Sequence, residues 1–322
     1  MRIVRNRAQA ILYDFWCSVP VRGKVLIPAS TCEVIPVTYM KLGMDFELVD
    51  IKRGTQSMDL ELAEQMLQKD ASIQALHYVY NYGYEEESVD RKLQYLKETY
   101  SIQVIEDKCL CLPCLREPQH VFSDLILFST GYGKYVDVGG GFGYLNEMWK
   151  EHFRWNPIPF SKQALQEMKQ SIHISREKAS LYPMQSARLD WLENRRLEDE
   201  EAYMRTVLQA TEQMKAHKEK LNAIYSEWIP KEVQLPHGFH TWRFQIRTDQ
   251  SERICAEIFR EGLFASRHYQ SLGNGVFSAK DFPKASEEHN QIVNLFNDCH
   301  YTEEMATRTA KIIARVVCGG KI

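Results

Sequence analysis

Between residues 25 and 145 the chain repeats one unit: a short apolar run, then a polar stretch with helical spacing. The runs are VLIP (25–28), FELVDI (46–51), IQALHYVY (73–80), IQVIED (102–107), LILFST (125–130) and GFGYL (141–145). Between them, MDLELAEQMLQ (58–68) sets Leu60, Met66 and Leu67 near one stripe, and ESVDRKLQYLKETY (87–100) spaces Val89, Leu93 and Leu96 by four and three. Strands that are apolar throughout must be covered on both faces, and amphipathic helices between them supply the cover. The expected fold class is therefore α/β, a mostly parallel sheet sandwiched by helices.

In such a sheet the chemistry lies beyond the carboxyl ends of the strands. Asp107 ends one run, and Ser129 to Lys134 follow another, so both point to one crevice. Around Lys134 the sequence reads FSTGYGKYVDVGGGFGYL (128–145) and holds six of the chain's 16 glycines. It is not a nucleotide phosphate loop, because Lys134 is followed by Tyr135 and position 128 is Phe. Nor is it a dinucleotide fingerprint, since Tyr144 stands where the third glycine belongs. What remains is a lysine on a tight backbone that something flat or bulky can approach closely.

The rest of the chain divides by pattern. Residues 1–160 form the large domain of the strand repeat. Residues 161–229 are rich in Lys, Glu, Gln and Arg and poor in glycine, which predicts long helices that link or cap domains. Residues 230–322 predict a small α/β domain. In it HTWRFQIRT alternates Trp242, Phe244 and Ile246 with Thr241, Arg243, Gln245 and Arg247, a strand with one buried face. A helix over 251–263 ends at Gly262, and a last helix opens at Thr302 with Glu303 and Glu304 in its first turn.

Bulk properties narrow the function. With 40 Lys+Arg against 43 Asp+Glu the net charge is -3, so no general field draws the chain to nucleic acid or an anionic membrane. No apolar run is long enough for a membrane span, and Arg2, Arg5, Arg7 and Asp14 break the start as a signal peptide. A cytoplasmic location is expected. Of eight cysteines, Cys109, Cys111 and Cys114 cluster without a second ligand arm, so they read as reduced thiols and no metal is expected.

A lysine at the mouth of a parallel sheet can form a Schiff base with an aldehyde cofactor. Pyridoxal 5'-phosphate also needs an acid beside its ring nitrogen, donors and a helix N-terminus for its phosphate, and close backbone approach. Asp107, Ser129, the helix opening at Asn6–Arg7–Ala8 and the glycines around Lys134 are candidates for each need. Singly they read as a loop acid, a turn serine and a surface lysine. Their order, strand–Asp then strand–Ser–loop–Lys, joins them.

Three segments, PASTCEVIPVTYMKLGMDFELVDI, QYLKETYSIQVIEDKCLCL and SDLILFSTGYGKYVDVGGGFG, resemble the DegT/DnrJ/StrS-type sugar aminotransferases of pyridoxal phosphate fold type I. HTWRFQIRT, EIFREGLFASRHYQSL and NLFNDCHYTEEMATRTAKII resemble that family's small domain. The resemblance implies Lys134 as Schiff-base lysine and proton shuttle, Asp107 as partner of the pyridinium nitrogen, and Ser129 as a phosphate ligand. It implies Thr31 at the early strand end as a further cofactor contact and His268–Tyr269 at the substrate. It also implies an amino donor, commonly glutamate, a keto-sugar acceptor, typically nucleotide-linked, and a homodimer. The chain differs from the family at several cofactor positions. Cys32 stands in place of an aromatic residue, Leu110 in place of Gln or His, Asn6–Arg7 in place of Gly-Thr, and Leu181–Tyr182–Pro183 in place of Asn-x-Arg. It also starts almost at the first helix, without the family's N-terminal arm. The alternatives are a pyridoxal phosphate-dependent lyase or dehydratase, an enzyme of that cofactor acting on amino acids, or a non-catalytic binding relative.

Overall fold

A computed structural model describes residues 1–19, 23–54, 56–118 and 121–319. Seven strands form the main sheet: β1 (Arg2–Arg5), β2 (Lys24–Pro28), β3 (Phe46–Val49), β4 (Ile73–Val79), β5 (Gln103–Asp107), β6 (Leu125–Ser129) and β7 (Gly141–Leu145), in the order β1-β7-β6-β5-β4-β2-β3. From β3 to β6 the neighbours are parallel; β7 runs antiparallel to both β6 and β1. All six apolar runs are strands. β1 is an addition, because RIVR lacks the length and pattern of the others.

Alternation along the strands divides the core in two. Leu26, Leu76, Tyr78, Val104, Ile126 and Phe128 face α3 (Leu60–Lys69) and α4 (Glu87–Tyr100). Val25, Ile27, Ala75, Val79, Ile105 and Leu127 face α1 (Ala8–Ser18) and α2 (Val34–Leu42). By the same parity His77, Asp107 and Ser129 lie on the α1–α2 side.

The glycine-poor region is helical: α5 (Lys162–Glu177), α6 (Met184–Arg188) and α7 (Glu200–Trp228). α7 is 29 residues long and its Met204, Val207 and Met214 pack on the main sheet's core. Its Leu221 and Tyr225 enter a second core formed with β8 (Phe244–Arg247), α8 (Ser251–Arg260), β9 (Ala265–Ser266), β10 (Ile292–Leu295) and α10 (Glu303–Val317), whereas α9 (Pro283–Gln291) places Ala285 in the α1–α2 core. The small sheet has the order β8-β10-β9, and Thr302 caps α10 through Met305 N. Gly262 takes the left-handed conformation (φ +71°) that closes α8.

The one-face reading of HTWRFQIRT is corrected. Regular strand begins only at Phe244, and the polar partners are buried too, Gln245 at 0 % and Arg243 at 6 % exposure. Gln245 donates to Asn294 Oδ1 (3.2 Å) within the sheet, and aromatic rings cover Arg243. Polar partners on neighbouring elements let both sit inside, which alternation alone cannot reveal.

The start of the chain is fixed by a buried ion pair. Arg5 Nε donates to Asp14 Oδ2 (2.8 Å), and Asp14 Oδ1 accepts from Asn194 Nδ2 (2.7 Å) and Asn156 N (2.9 Å). Burial raises the Asp14 pKa against these contacts. The pair ties β1 and α1 to the segments around 156 and 194, which sets where the N-terminus of α1 stands. Asp14→Ala leaves Arg5 buried without its partner and should lower unfolding free energy by about 3–5 kcal/mol in urea titration. A loss under about 1 kcal/mol would show that the pair is not the anchor.

Candidate active site

Asp107 ends β5 with its carboxylate buried. His77, its neighbour on β4, places Nε2 3.3 Å from Oδ2, and the Cys109 amide donates to Oδ1 (3.0 Å). Burial alone would raise this carboxyl; the His77 hydrogen bond and charge, the Cys109 amide and the Lys134 charge together outweigh it and hold the pKa below its usual value. An ionised carboxylate only accepts, so Nε2 carries a proton towards it. Tyr39 Oη lies 2.8 Å from Nδ1 and accepts from Trp16 Nε1 (3.3 Å). The sequence reading treated His77 as one more residue of a buried strand; the signal available was its strand parity with Asp107.

Lys134 follows β6 in a turn closed by its own amide on Gly131 O (3.1 Å). Gly133 takes φ +72° there, and its carbonyl accepts from Trp242 Nε1 (2.8 Å). The Lys134 charge lies within electrostatic reach of Asp107, Cys32, Cys109 and His268. Tyr269 joins them: burial first, then Cys32, Asp107 and Cys109, push its phenol well up. Tyr82 donates its hydroxyl to His268 O, tying the His268–Tyr269 pair to the loop after β4.

The third part is a cradle at the N-terminus of α1. Ser129 pairs with Gly141 across β6 and β7, and Gly141 pairs with Arg5 of β1. A Cβ on Gly141 would stand 2.5 Å from Ala8 N, so only glycine lets the helix start so close to β7. A Cβ on Gly140 would stand 2.9 Å from the Tyr203 ring, whose hydroxyl shares a 2.6 Å hydrogen bond with Thr130 Oγ1. The first turn of α1 has no side-chain cap, the Ala10 amide donates to Arg7 O (3.1 Å), and the helix start lies against Gly141, the cross-strand partner of Ser129.

The structure thus brings together Lys134, Asp107, Cys32 and Tyr269, and separately Ser129 and Ala8. Thr31 is buried at the end of β2 with Oγ1 unpartnered. Three candidates are placed otherwise. Asn6 Oδ1 accepts from Arg195 N (2.9 Å), the Arg7 guanidinium lies 3.5 Å from Glu193, and Leu110 packs with Tyr82, Phe239 and Trp242. The Asn6 amide is committed as well, donating to Arg195 O (3.1 Å). A glycine-walled anion cradle, a buried ionised acid and a lysine facing that acid fit a flat aromatic aldehyde that carries a phosphate and a ring nitrogen.

Among the described residues no group of three or more His, Cys, Asp or Glu is placed to hold a metal, all eight cysteines are free, and no helix is long and apolar enough to cross a membrane.

The pH dependence of Asp107 follows from the sign of its shift. A folded pKa below the unfolded one contributes stability that is complete above about pH 4 and is lost as pH falls through the folded value. The wild type's advantage over Asp107→Asn in urea midpoint should therefore shrink between about pH 6 and pH 3. An advantage that grows on acidification would contradict the arrangement.

No family model and no curated protein sequence matches the chain. Solved structures do. DesI, solved in the presence of its TDP-sugar product, superimposes with a TM-score of 0.74 at 15% identity, over 99% of this chain and 81% of that one. Spr1654 from Streptococcus pneumoniae in its PLP form gives 0.72 at 17% identity, over 98% and 87%. The sugar aminotransferase CalS13 from Micromonospora echinospora gives 0.68 at 17% identity, over 97% and 86%. Across nearly its whole length, the chain has the fold of these sugar aminotransferases.

Proposed function

We propose that the protein is a pyridoxal phosphate-dependent aminotransferase of the DegT/DnrJ/StrS type, passing an amino group from a donor, glutamate by preference, to a keto-sugar supplied as its nucleotide conjugate. The observation that carries this reading is the convergence of Lys134 and the depressed carboxylate of Asp107 beside the cradle of Ser129 and α1. DesI, of the same fold, was solved with a TDP-sugar product, which supports the acceptor class.

When bound, the cofactor supplies a carbonyl that exchanges for an amine and a ring that takes up electron density. The chain's own residues do the rest. Ser129 and the first amides of α1 hold the phosphate. The Asp107 carboxylate, kept ionised by His77 and the Cys109 amide, holds a proton on the ring nitrogen. Lys134 Nζ would hold the cofactor through its carbonyl carbon and would serve as the base and acid that moves the proton. Thr31 and Cys32 complete the wall around the ring, and His268–Tyr269 face the substrate. Residues 1–160 serve as cofactor-binding domain, 161–229 as helical connector and 230–322 as small domain. A homodimer acting in the cytoplasm completes the reading.

Incubation with pyridoxal 5'-phosphate should give a yellow protein, and borohydride should fix one pyridoxyl group on a Lys134 peptide, identified by mass spectrometry. Lys134→Ala should abolish the fixation. A label on another lysine, or none, sinks the reading. With wild-type protein, glutamate should bleach the yellow band and release 2-oxoglutarate.

A further inference from the structure

The turn that carries Lys134 has little to hold it from within. Gly131 and Gly133 contribute no side chains, and Tyr132 between them is 85 % exposed. The turn is closed by the Lys134 amide on Gly131 O (3.1 Å). Glycine gives up more conformational freedom on folding than any other residue, so such a turn keeps one geometry only when other elements grip it.

The grip comes from a buried lysine on α7. Lys218 is 3 % exposed, and its Nζ donates to Trp242 O (2.6 Å) and Asn297 Oδ1 (2.7 Å). Both acceptors are neutral. Asn297 Nδ2 donates to Asn222 Oδ1 (2.9 Å), which leaves the Asn297 oxygen turned towards the lysine. The Trp242 indole in turn donates to Gly133 O (2.8 Å), and Lys218 Nζ lies 5.0 Å from the Tyr135 ring centroid. One amine therefore bears on both chain neighbours of Lys134, on Gly133 through Trp242 and on Tyr135 directly. Burial draws the Lys218 pKa down to about 7, with Asp298 opposing and Arg243 adding to the fall. Charged or neutral, the amine keeps the two N–H donors that its two acceptors need. An apolar side chain of similar length would fill the same space without the cost of burying a polar group. What the amine adds is the pair of bonds to Trp242 and Asn297.

We propose that Lys218 is a positioning residue for Lys134, fixing the Trp242 segment on which the 131–134 turn is set and so holding the Lys134 amine ready for the cofactor carbonyl. Only the task given to Lys134 rests on the transamination reading; the support of its turn stands on the hydrogen bonds themselves.

Hydrogen exchange read by mass spectrometry on the cofactor-free full chain tests that support. In Lys218→Met the amides of 131–135 should exchange about tenfold faster than in wild type, equivalent to about 1.4 kcal/mol, while peptides of β8 and β10 change far less. Unchanged exchange over 131–135, or an equal rise in β8 and β10, overturns the proposal. Should that variant not fold, Trp242→Phe decides, because it keeps the carbonyl that Lys218 binds and removes the N–H donated to Gly133. It should speed exchange over 131–135 severalfold, and no change overturns the proposal. At saturating pyridoxal 5'-phosphate, borohydride should fix severalfold less cofactor on Lys134 in either variant. Lys218→Arg, which keeps a cationic donor, should regain part of that loss, and a folded Lys218→Arg that regains none overturns the positioning role. If wild-type Lys134 takes no label, transamination falls, while exchange over 131–135 still decides the part played by Lys218.

Discussion

A buried negative charge at the end of a parallel strand is the constraint around which the molecule is arranged. Taking a carboxylate out of water disfavours its ionised form, so Asp107 keeps its charge only through partners held in place by other elements. His77 comes from the adjacent strand, Tyr39 from α2 and Trp16 from α1, and each hydrogen-bonds the next. The relay therefore ends on the helix whose first turn forms the anion cradle. One helix thus bears on both ends of the proposed cofactor, through a hydrogen-bond chain to the acid and through its own amides at Ser129.

The lysine is positioned from the opposite side. Lys218 of α7 donates to the carbonyl of Trp242, and the Trp242 indole donates to the carbonyl of Gly133, one residue before Lys134. Because α7 packs on both cores, the turn that carries the amine is held by the small sheet's side while the acid is held by the large sheet. The site is a meeting of two rigid supports, which favours fixed distances between amine and acid over adaptability. Tyr82, stacked on Trp242 at 6.3 Å and hydrogen-bonded to His268, links the same supports from the loop after β4.

Much of this was legible in the sequence because it depends on local pattern. Apolar runs of strand length and the helical spacing at Val89, Leu93 and Leu96 stand as read, and Asp107 and Ser129 end β5 and β6. What was not legible depends on pairing between distant segments. Alternation placed Arg243 and Gln245 outside, yet Phe296 and Asn294, which bury them, lie far along the chain. His77 gained a role only from the pairing of β4 with β5, which brings its ring within 3.3 Å of the Asp107 carboxylate. Arg7 stands at the helix opening expected to hold a phosphate, but its guanidinium lies 3.5 Å from Glu193, a residue far along the chain. The strand β1 was too short to announce itself and is fixed instead by its pairing with β7.

The most direct measurement of the central claim is a crystal structure of the protein soaked with pyridoxal 5'-phosphate. The account predicts continuous density from Lys134 Nζ into the cofactor, the ring nitrogen within hydrogen-bond distance of the Asp107 carboxylate, and the phosphate at Ser129 and the first turn of α1. A cofactor turned end for end, bound at another lysine, or absent at saturating concentration would contradict it.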